Sequence, residues 1–340
     1  MTDIRDGAER DLGIGIVGTG KISRQFAEAL RITPGVSARS VYSRKAETGE
    51  LYAKECGVPA STDSWEGFLS DPAIDAVYVA TPNVAHFGQA LDALKAGKHV
   101  LCEKPLTTDT ARFDYLAREA KARGLVLMEG MRILHDPVFS LIRKAVAGLG
   151  KIRRAEFIYC QYSSRYDKFK DGIVLNAFDP VLSNAAVMDI GVYPVALNVA
   201  LFGLTDDISA SSNFLCNGFE GNGTATLRYD GFASTLTWSK IADVTSPSVV
   251  IGENGSLMID RLSGTTRVAV ADAGGRADTI PYFPSENNMI YEAADLRDAI
   301  RGKLDPEPFL EISRKTVVML DMIRRAAGIS FLSDAQPIEG

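Results

Sequence analysis

Lys104 ends an apolar run, His99-Val-Leu-Cys-Glu103-Lys104-Pro105, and a glycine turn follows another such run in Gly15-Ile-Val-Gly18-Thr-Gly20-Lys21-Ile22-Ser23. In open α/β sheets ligands collect beyond the carboxyl ends of the strands, so these two features should share one crevice. Gly18 permits the tight turn, and Gly20 lets a pyrophosphate approach the backbone at a helix N-terminus. Ser23 takes the place of the third glycine and is small enough for close helix packing. A dinucleotide on the turn with an ammonium at its reactive end points to nicotinamide-dependent hydride transfer. Such a reaction must also move the proton of the substrate oxygen. Glycine turns also open flavin and methyl-donor sites; a methyltransferase reading leaves Glu103-Lys104-Pro105 without a purpose.

Two further segments extend this cofactor reading. The second apolar run ends Val41-Tyr42-Ser43-Arg44-Lys45, where an NAD site usually offers a carboxylate to the ribose. A hydroxyl and two cations suit a 2′-phosphate, which favours NADP, with NAD the alternative. Thr81-Pro82-Asn83 ends the third core run, and His86 lies one turn into the next helix, where it serves as a wall residue at most.

The elements that must position these residues alternate in the first half of the chain. Apolar runs at Leu12 to Val17, Ala38 to Ser43, Ala76 to Thr81, His99 to Glu103 and Leu125 to Glu129 suit strands buried on both faces of a parallel sheet. Helical patterns lie between them, such as the one capped near Thr107-Thr108-Asp109 and stopped by Gly124. This rhythm predicts a doubly wound N-terminal domain over residues 1–130. From residue 131 to 340 the texture changes. Asp230-Gly231 joins Thr224–Tyr229 to Phe232–Trp238, and Asn254-Gly255 joins Val249–Gly252 to Ser256–Ile259. Both dipeptides are hairpin signals, because the primed turns need positive φ. The second domain is expected to be α+β with a largely antiparallel open sheet and helices near Val192–Phe202, Met289–Arg301 and Phe309–Ala327.

A chain of 340 residues with 24% charged residues and net charge −6 has the composition of a two-domain globular protein and no footprint for nucleic acid. Cys56, Cys102, Cys160 and Cys216 show no metal or redox spacing, which fits free thiols in a reducing cytoplasm. No apolar signal segment opens the chain, and no uninterrupted apolar stretch is expected to cross a membrane, since even Ala185–Gly203 carries Asp189. Three histidines and no clustered carboxylates argue against a catalytic metal.

The set Gly18-x-Gly20, Thr81-Pro82-Asn83-x-x-His86, Glu103-Lys104-Pro105 and Met188-Asp189-Ile190-Gly191-Val192-Tyr193 resembles the glucose-fructose oxidoreductase, inositol dehydrogenase and MocA family over nearly the whole chain. The resemblance implies a Rossmann domain followed by an α/β domain whose open sheet serves for oligomerisation, as a homodimer or homotetramer. Many members carry histidine where Tyr193 stands. Tyrosine looks like the branch of glucose-fructose oxidoreductase, dihydrodiol dehydrogenase and xylose dehydrogenase, and it speaks against an inositol dehydrogenase. Met128-Glu-Gly-Met-Arg132 looks like the arginine-bearing segment of the same branch, several members of which use NADP.

On this reading Tyr193 exchanges the substrate proton, helped by Lys104 as the adjacent cation, and Lys104 equally can polarise the substrate oxygen. Asp189 orients the lysine or binds a substrate hydroxyl, and Arg132 faces cofactor or substrate. Plainer roles compete: Lys104 in a surface ion pair, Asp189 capping the helix near Pro194, Tyr193 as packed core. The expected substrate is a sugar, polyol or dihydrodiol, with Tyr162, Arg165, Asn176 or Asn288 lining its pocket. A cofactor-binding regulator is the competing class; it would lose the reactive trio, which is present here.

Overall fold

The computed structural model describes residues 10–338. Its first sheet comprises β1 (Leu12–Val17), β2 (Val36–Tyr42), β3 (Ala60–Thr62), β4 (Ala76–Val79), β5 (His99–Glu103) and β6 (Leu127–Gly130), all parallel in the order β3-β2-β1-β4-β5-β6. The direction of winding reverses between β1 and β4, and this gap is where a Rossmann sheet opens its ligand crevice. The apolar runs anticipated five of these strands. β3 escaped because three residues, Ala60-Ser-Thr62, at the sheet edge give no apolar run. Asp109 caps helix Thr110–Arg123 by accepting from the Arg112 N–H, and Gly124 ends it in the left-handed region at φ 65°.

The second sheet has β7 (Ile152–Cys160), β8 (Ile208–Phe214), β9 (Glu220–Tyr229), β10 (Phe232–Ser239), β11 (Ser248–Gly252), β12 (Gly255–Ile259), β13 (Val268–Asp272) and β14 (Ala277–Thr279). The order is β14-β13-β12-β11-β7-β10-β9-β8, antiparallel except for the β7–β10 pair. Both anticipated hairpins form, with Tyr229 opposite Phe232 and Gly252 opposite Gly255.

Two late helices bind the halves together. Met289, Ala293, Leu296 and Ala299 of helix Met289–Ile300 join Phe26, Tyr78 and Leu101 in one buried cluster of the first sheet. Helix Glu307–Ala327 sends Val317 into the other layer of that sheet and Met319, Leu320 and Ile323 into the core of the second. Burial on both sides is worth about 25 cal/mol per Å² of apolar surface, which disfavours hinge motion between the sheets.

Pro180–Phe202, with mean hydropathy 1.7, does have the length and composition of a membrane span, contrary to the expectation from Asp189. It is a core element instead, with 78% of its most apolar window buried inside the fold. All four cysteines are free, and Cys102 is buried in β5.

Candidate active site

The carboxyl ends of β1, β2 and β4 border a cavity of about 660 Å³ lined by Gly18, Gly20, Ser43, Arg44, Lys45, Thr81 and Pro82. Gly18 adopts φ +109°, and a Cβ there would lie 2.4 Å from the Ala80 carbonyl oxygen, so the turn requires glycine. A Cβ on Gly20 would meet no protein atom within 4 Å and would project into the cleft. Gly20 also starts helix Lys21–Ile32, whose first turn has neither a side-chain cap nor an acidic residue. Its free N–H groups and open backbone fit a pyrophosphate. Ser23 is fully buried; its hydroxyl donates to the Gly20 carbonyl at 2.9 Å and its own carbonyl accepts from Tyr52. Arg44 and Lys45 are exposed at the rim, with no carboxylate partner among the described residues.

Thr81 also lines the two cavities that continue this one. One, of about 490 Å³, passes Pro82, Asn83, Arg165, Asn176 and Asp189. The other, of about 450 Å³, is bordered by Lys21, Ile22, His86, Glu103, Lys104, Arg132, Asp189 and Tyr193. Every residue proposed from the sequence for cofactor or chemistry therefore lines one continuous cleft.

Lys104, which follows β5, lines this last cavity. Its Nζ donates to Asp189 Oδ1 at 3.0 Å and to the Asp189 carbonyl, and sits 5.2 Å from the Tyr193 ring centre. Asp189 belongs to a π-helical turn, Val187–Gly191, that runs straight into helix Val192–Phe202. Such wide turns are frequent at functional sites. Gly191 lets this turn lie flat on the second sheet, since a Cβ there would come within 3.0 Å of the Trp238 ring. Glu220 then pins the arrangement, accepting from Trp238 Nε1 and from the Val187 N–H, both at 2.8 Å. The helix starts without a side-chain cap, so Asp189 does not play the capping role.

A second ammonium meets the same carboxylate: Lys240 Nζ lies 2.6 Å from Asp189 Oδ2. Burial alone would raise the Asp189 carboxyl, but the two cations outweigh it and hold it well below the ordinary range. Burial likewise opposes the charge on Lys104, and the Asp189 carboxylate reverses this and pushes the ammonium up. Tyr193 is 5% exposed and packs edge-on against Tyr159, so it is core on one side and cavity wall on the other.

The remaining expected residues divide by contact. His86 is buried between the carbonyls of Pro105 and Thr81, at 2.9 and 2.8 Å, and burial pushes its imidazole down. It braces the wall, as expected. Glu103 accepts from the Tyr78 hydroxyl at 2.6 Å, and Arg132 donates to Gln25 at 3.2 Å. Arg165 and Asn176 line the cleft, whereas Tyr162 donates to Asp167 and Asn288 to Asp136, away from it. Sequence reasoning missed Lys240, Tyr159, Gln161 and Ser263. Lys240 carried a usable signal, because it follows strand β10 just as Lys104 follows β5. The other three sit on segments without any motif.

Known proteins share the sequence and the fold over nearly the whole chain. The profile of an oxidoreductase family with an NAD-binding Rossmann fold matches residues 12–131. The chain is 40% identical over 322 residues to scyllo-inositol 2-dehydrogenase (NADP(+)) of Bacillus subtilis (strain 168), covering 94% of this chain and 98% of that one. It is 26% identical over 338 residues to trans-1,2-dihydrobenzene-1,2-diol dehydrogenase of Mus musculus, with 94% and 98% covered. Among solved structures, a 3-ketoreductase of Actinomadura kijaniata in complex with TDP-benzene and NADP superimposes with a TM-score of 0.80 at 25% identity, covering 95% of this chain and 100% of that one. On profile, near full-length identity and fold together, the chain belongs to the glucose-fructose oxidoreductase, inositol dehydrogenase and MocA family of oxidoreductases.

Proposed function

We propose that this protein is an NADP-dependent dehydrogenase that interconverts a hydroxyl and a carbonyl on a polyol, sugar or dihydrodiol. The observation that carries the reading is the convergence of Lys104, Asp189 and Tyr193 on the cavity that continues from the glycine turn. Gly18, Gly20 and the start of helix Lys21–Ile32 would hold the pyrophosphate, Arg44 and Lys45 the 2′-phosphate, and Thr81 to Asn83 the stretch toward the nicotinamide. When bound, the dinucleotide supplies the hydride acceptor or donor.

The protein's own part is the proton and the orientation of the substrate. Tyr193 takes the hydroxyl proton as the carbonyl forms and returns it in reduction. Lys104 faces the same oxygen as a fixed cation, and Asp189 holds Lys104 in place. Polar groups of Gln161, Arg165 and Ser263 on the cavity wall suit a substrate with several hydroxyls. The tyrosine pattern set inositol dehydrogenases aside, but the Bacillus relative acts on scyllo-inositol, so cyclic polyols belong in the substrate class.

In the same reading residues 1–130 carry the dinucleotide and residues 131–340 the substrate wall and a self-association face. The face is supported by β10, where buried Ser234, Leu236 and Trp238 alternate with part-exposed Ala233, Thr235 and Thr237. Free thiols support a reducing, cytoplasmic setting.

The test is a panel of cyclitols, aldoses, polyols and diols against NADP⁺ and NAD⁺, read at the absorbance of the reduced nicotinamide. Turnover with NADP⁺ on at least one class is expected. Tight NADPH binding with no turnover across the panel would instead favour a regulator.

A further inference from the structure

We infer that Lys240 is a positioning residue of the active site, which shares Asp189 with Lys104 and ties the reactive end of the cleft to the segment that covers it. The inference rests on the oxidoreductase reading above. The Lys240 side chain is 4% exposed, yet two of its three donors meet an acceptor. Its Nζ reaches Asp189 Oδ2 at 2.6 Å and donates to the Ala177 carbonyl at 2.8 Å. The Phe178 and Phe219 rings lie 5.2 and 5.4 Å from it, a distance at which the ring faces stabilise a cation. A buried ammonium held by one carboxylate, one carbonyl and two rings is a built site, not a solvated lysine that folded inward.

Two consequences follow from the charge count and the chain path. Two ammoniums share one carboxylate, so the trio keeps one uncompensated positive charge. With Lys240 gone, Asp189 would neutralise Lys104 alone, and the field reaching Tyr193 and a substrate oxygen would weaken. Among the described residues the other groups facing Tyr193 are Tyr159 and the Arg132 guanidinium, Arg165 lines the same cavity, and Glu103 faces Lys104 from β5. None of them contacts Asp189 in place of Lys240. The second consequence concerns Ala177. Its neighbour Asn176 lines both the turn cavity and the middle one. Lys240 thus fixes the chain that roofs the dinucleotide cleft to the same carboxylate that orients Lys104.

The experiment compares wild type with Lys240→Met, Lys240→Arg and Lys240→Gln, the last standing in should the methionine variant not fold. In Lys240→Met, kcat for polyol oxidation should fall about tenfold or more. The acid limb of the kcat/KM profile should move up by about half a pH unit or more, and Lys240→Arg should recover most of both. NADPH affinity, read by fluorescence, should stay within about threefold. Backbone amides of residues 171–184 should exchange with deuterium about tenfold faster in Lys240→Met. An unmoved acid limb with kcat within about twofold overturns the charge-sharing role, and unchanged exchange in 171–184 overturns the tie. Absence of turnover in the wild type would count against the functional reading alone, since the exchange measurement needs no substrate.

Discussion

The Nζ of Lys104 lies 5.2 Å from the centre of the Tyr193 ring, although one residue ends a strand of the first sheet and the other begins a helix against the second. On the proposed reading each domain supplies one member of the proton-exchanging pair. The π-turn that carries Asp189 runs into the helix that carries Tyr193, and Asp189 accepts from Lys104 across the interface.

Removing either partner should therefore stop chemistry without emptying the cleft. Lys104→Met and Tyr193→Phe should each lower kcat by about 10² to 10⁴, the span of general acid–base catalysis. NADPH binding should change by no more than a few-fold, because Gly18, Arg44 and Lys45 line the part of the cleft that Lys104 and Tyr193 do not border. Steady-state rates beside a fluorescence titration check both halves. Comparable kcat in both variants would remove these residues from the mechanism.

Coenzyme choice should depend on the rim of β2. Arg44 and Lys45 have no carboxylate partner among the described residues, and Ser43 stands where an NAD site offers an acid. A charge-assisted hydrogen bond to phosphate contributes about 1.5–3 kcal/mol, or roughly 10- to 100-fold. Arg44→Asp should lower kcat/KM for NADP⁺ by at least that much and raise it for NAD⁺. A preference ratio that stays constant would show that the 2′-phosphate is read elsewhere.

Much of this was legible before any coordinates, and the reason is chemical. Gly18, Gly20, Lys104 and Asp189 occupy positions where strand ends and turns restrict residue type, so their spacing carries meaning. What the sequence hid was contact across the chain. The π-turn at Val187–Gly191 has no compositional mark, and Glu220, which pins it through Trp238, reads as an ordinary strand residue. Lys240 follows the far end of β10, away from the Asp230-Gly231 turn that marks the hairpin of β9 and β10. Helix Met289–Ile300 was visible as a helix, but its packing against the first sheet depends on tertiary contacts that its amphipathic pattern does not specify.

That helix supplies a final, pH-dependent prediction. Glu292 is fully buried, and neither of its carboxylate oxygens has a hydrogen-bond partner among the described residues. A methyl group on Gly130 would lie 3.6 Å from both Glu292 Oε2 and Glu103 Oε1, which places the two acids around one glycine. Burial pushes the Glu292 carboxyl up, Glu103 adds to the rise, Arg132 opposes it, and the result is about 8 against an ordinary 4.5. The folded protein thus holds a proton that the unfolded chain has released. The stability of this neutral form is fully present below about pH 4.5 and is lost as pH rises toward 8. Glu292→Gln keeps the neutral shape and cannot ionise. It should match the wild type near pH 5 and exceed it in Tm by about 2–5 °C near pH 8.5. Thermal unfolding at the two pH values decides the matter: an equal offset at both would mean that Glu292 is ionised in the fold, paired with Arg132.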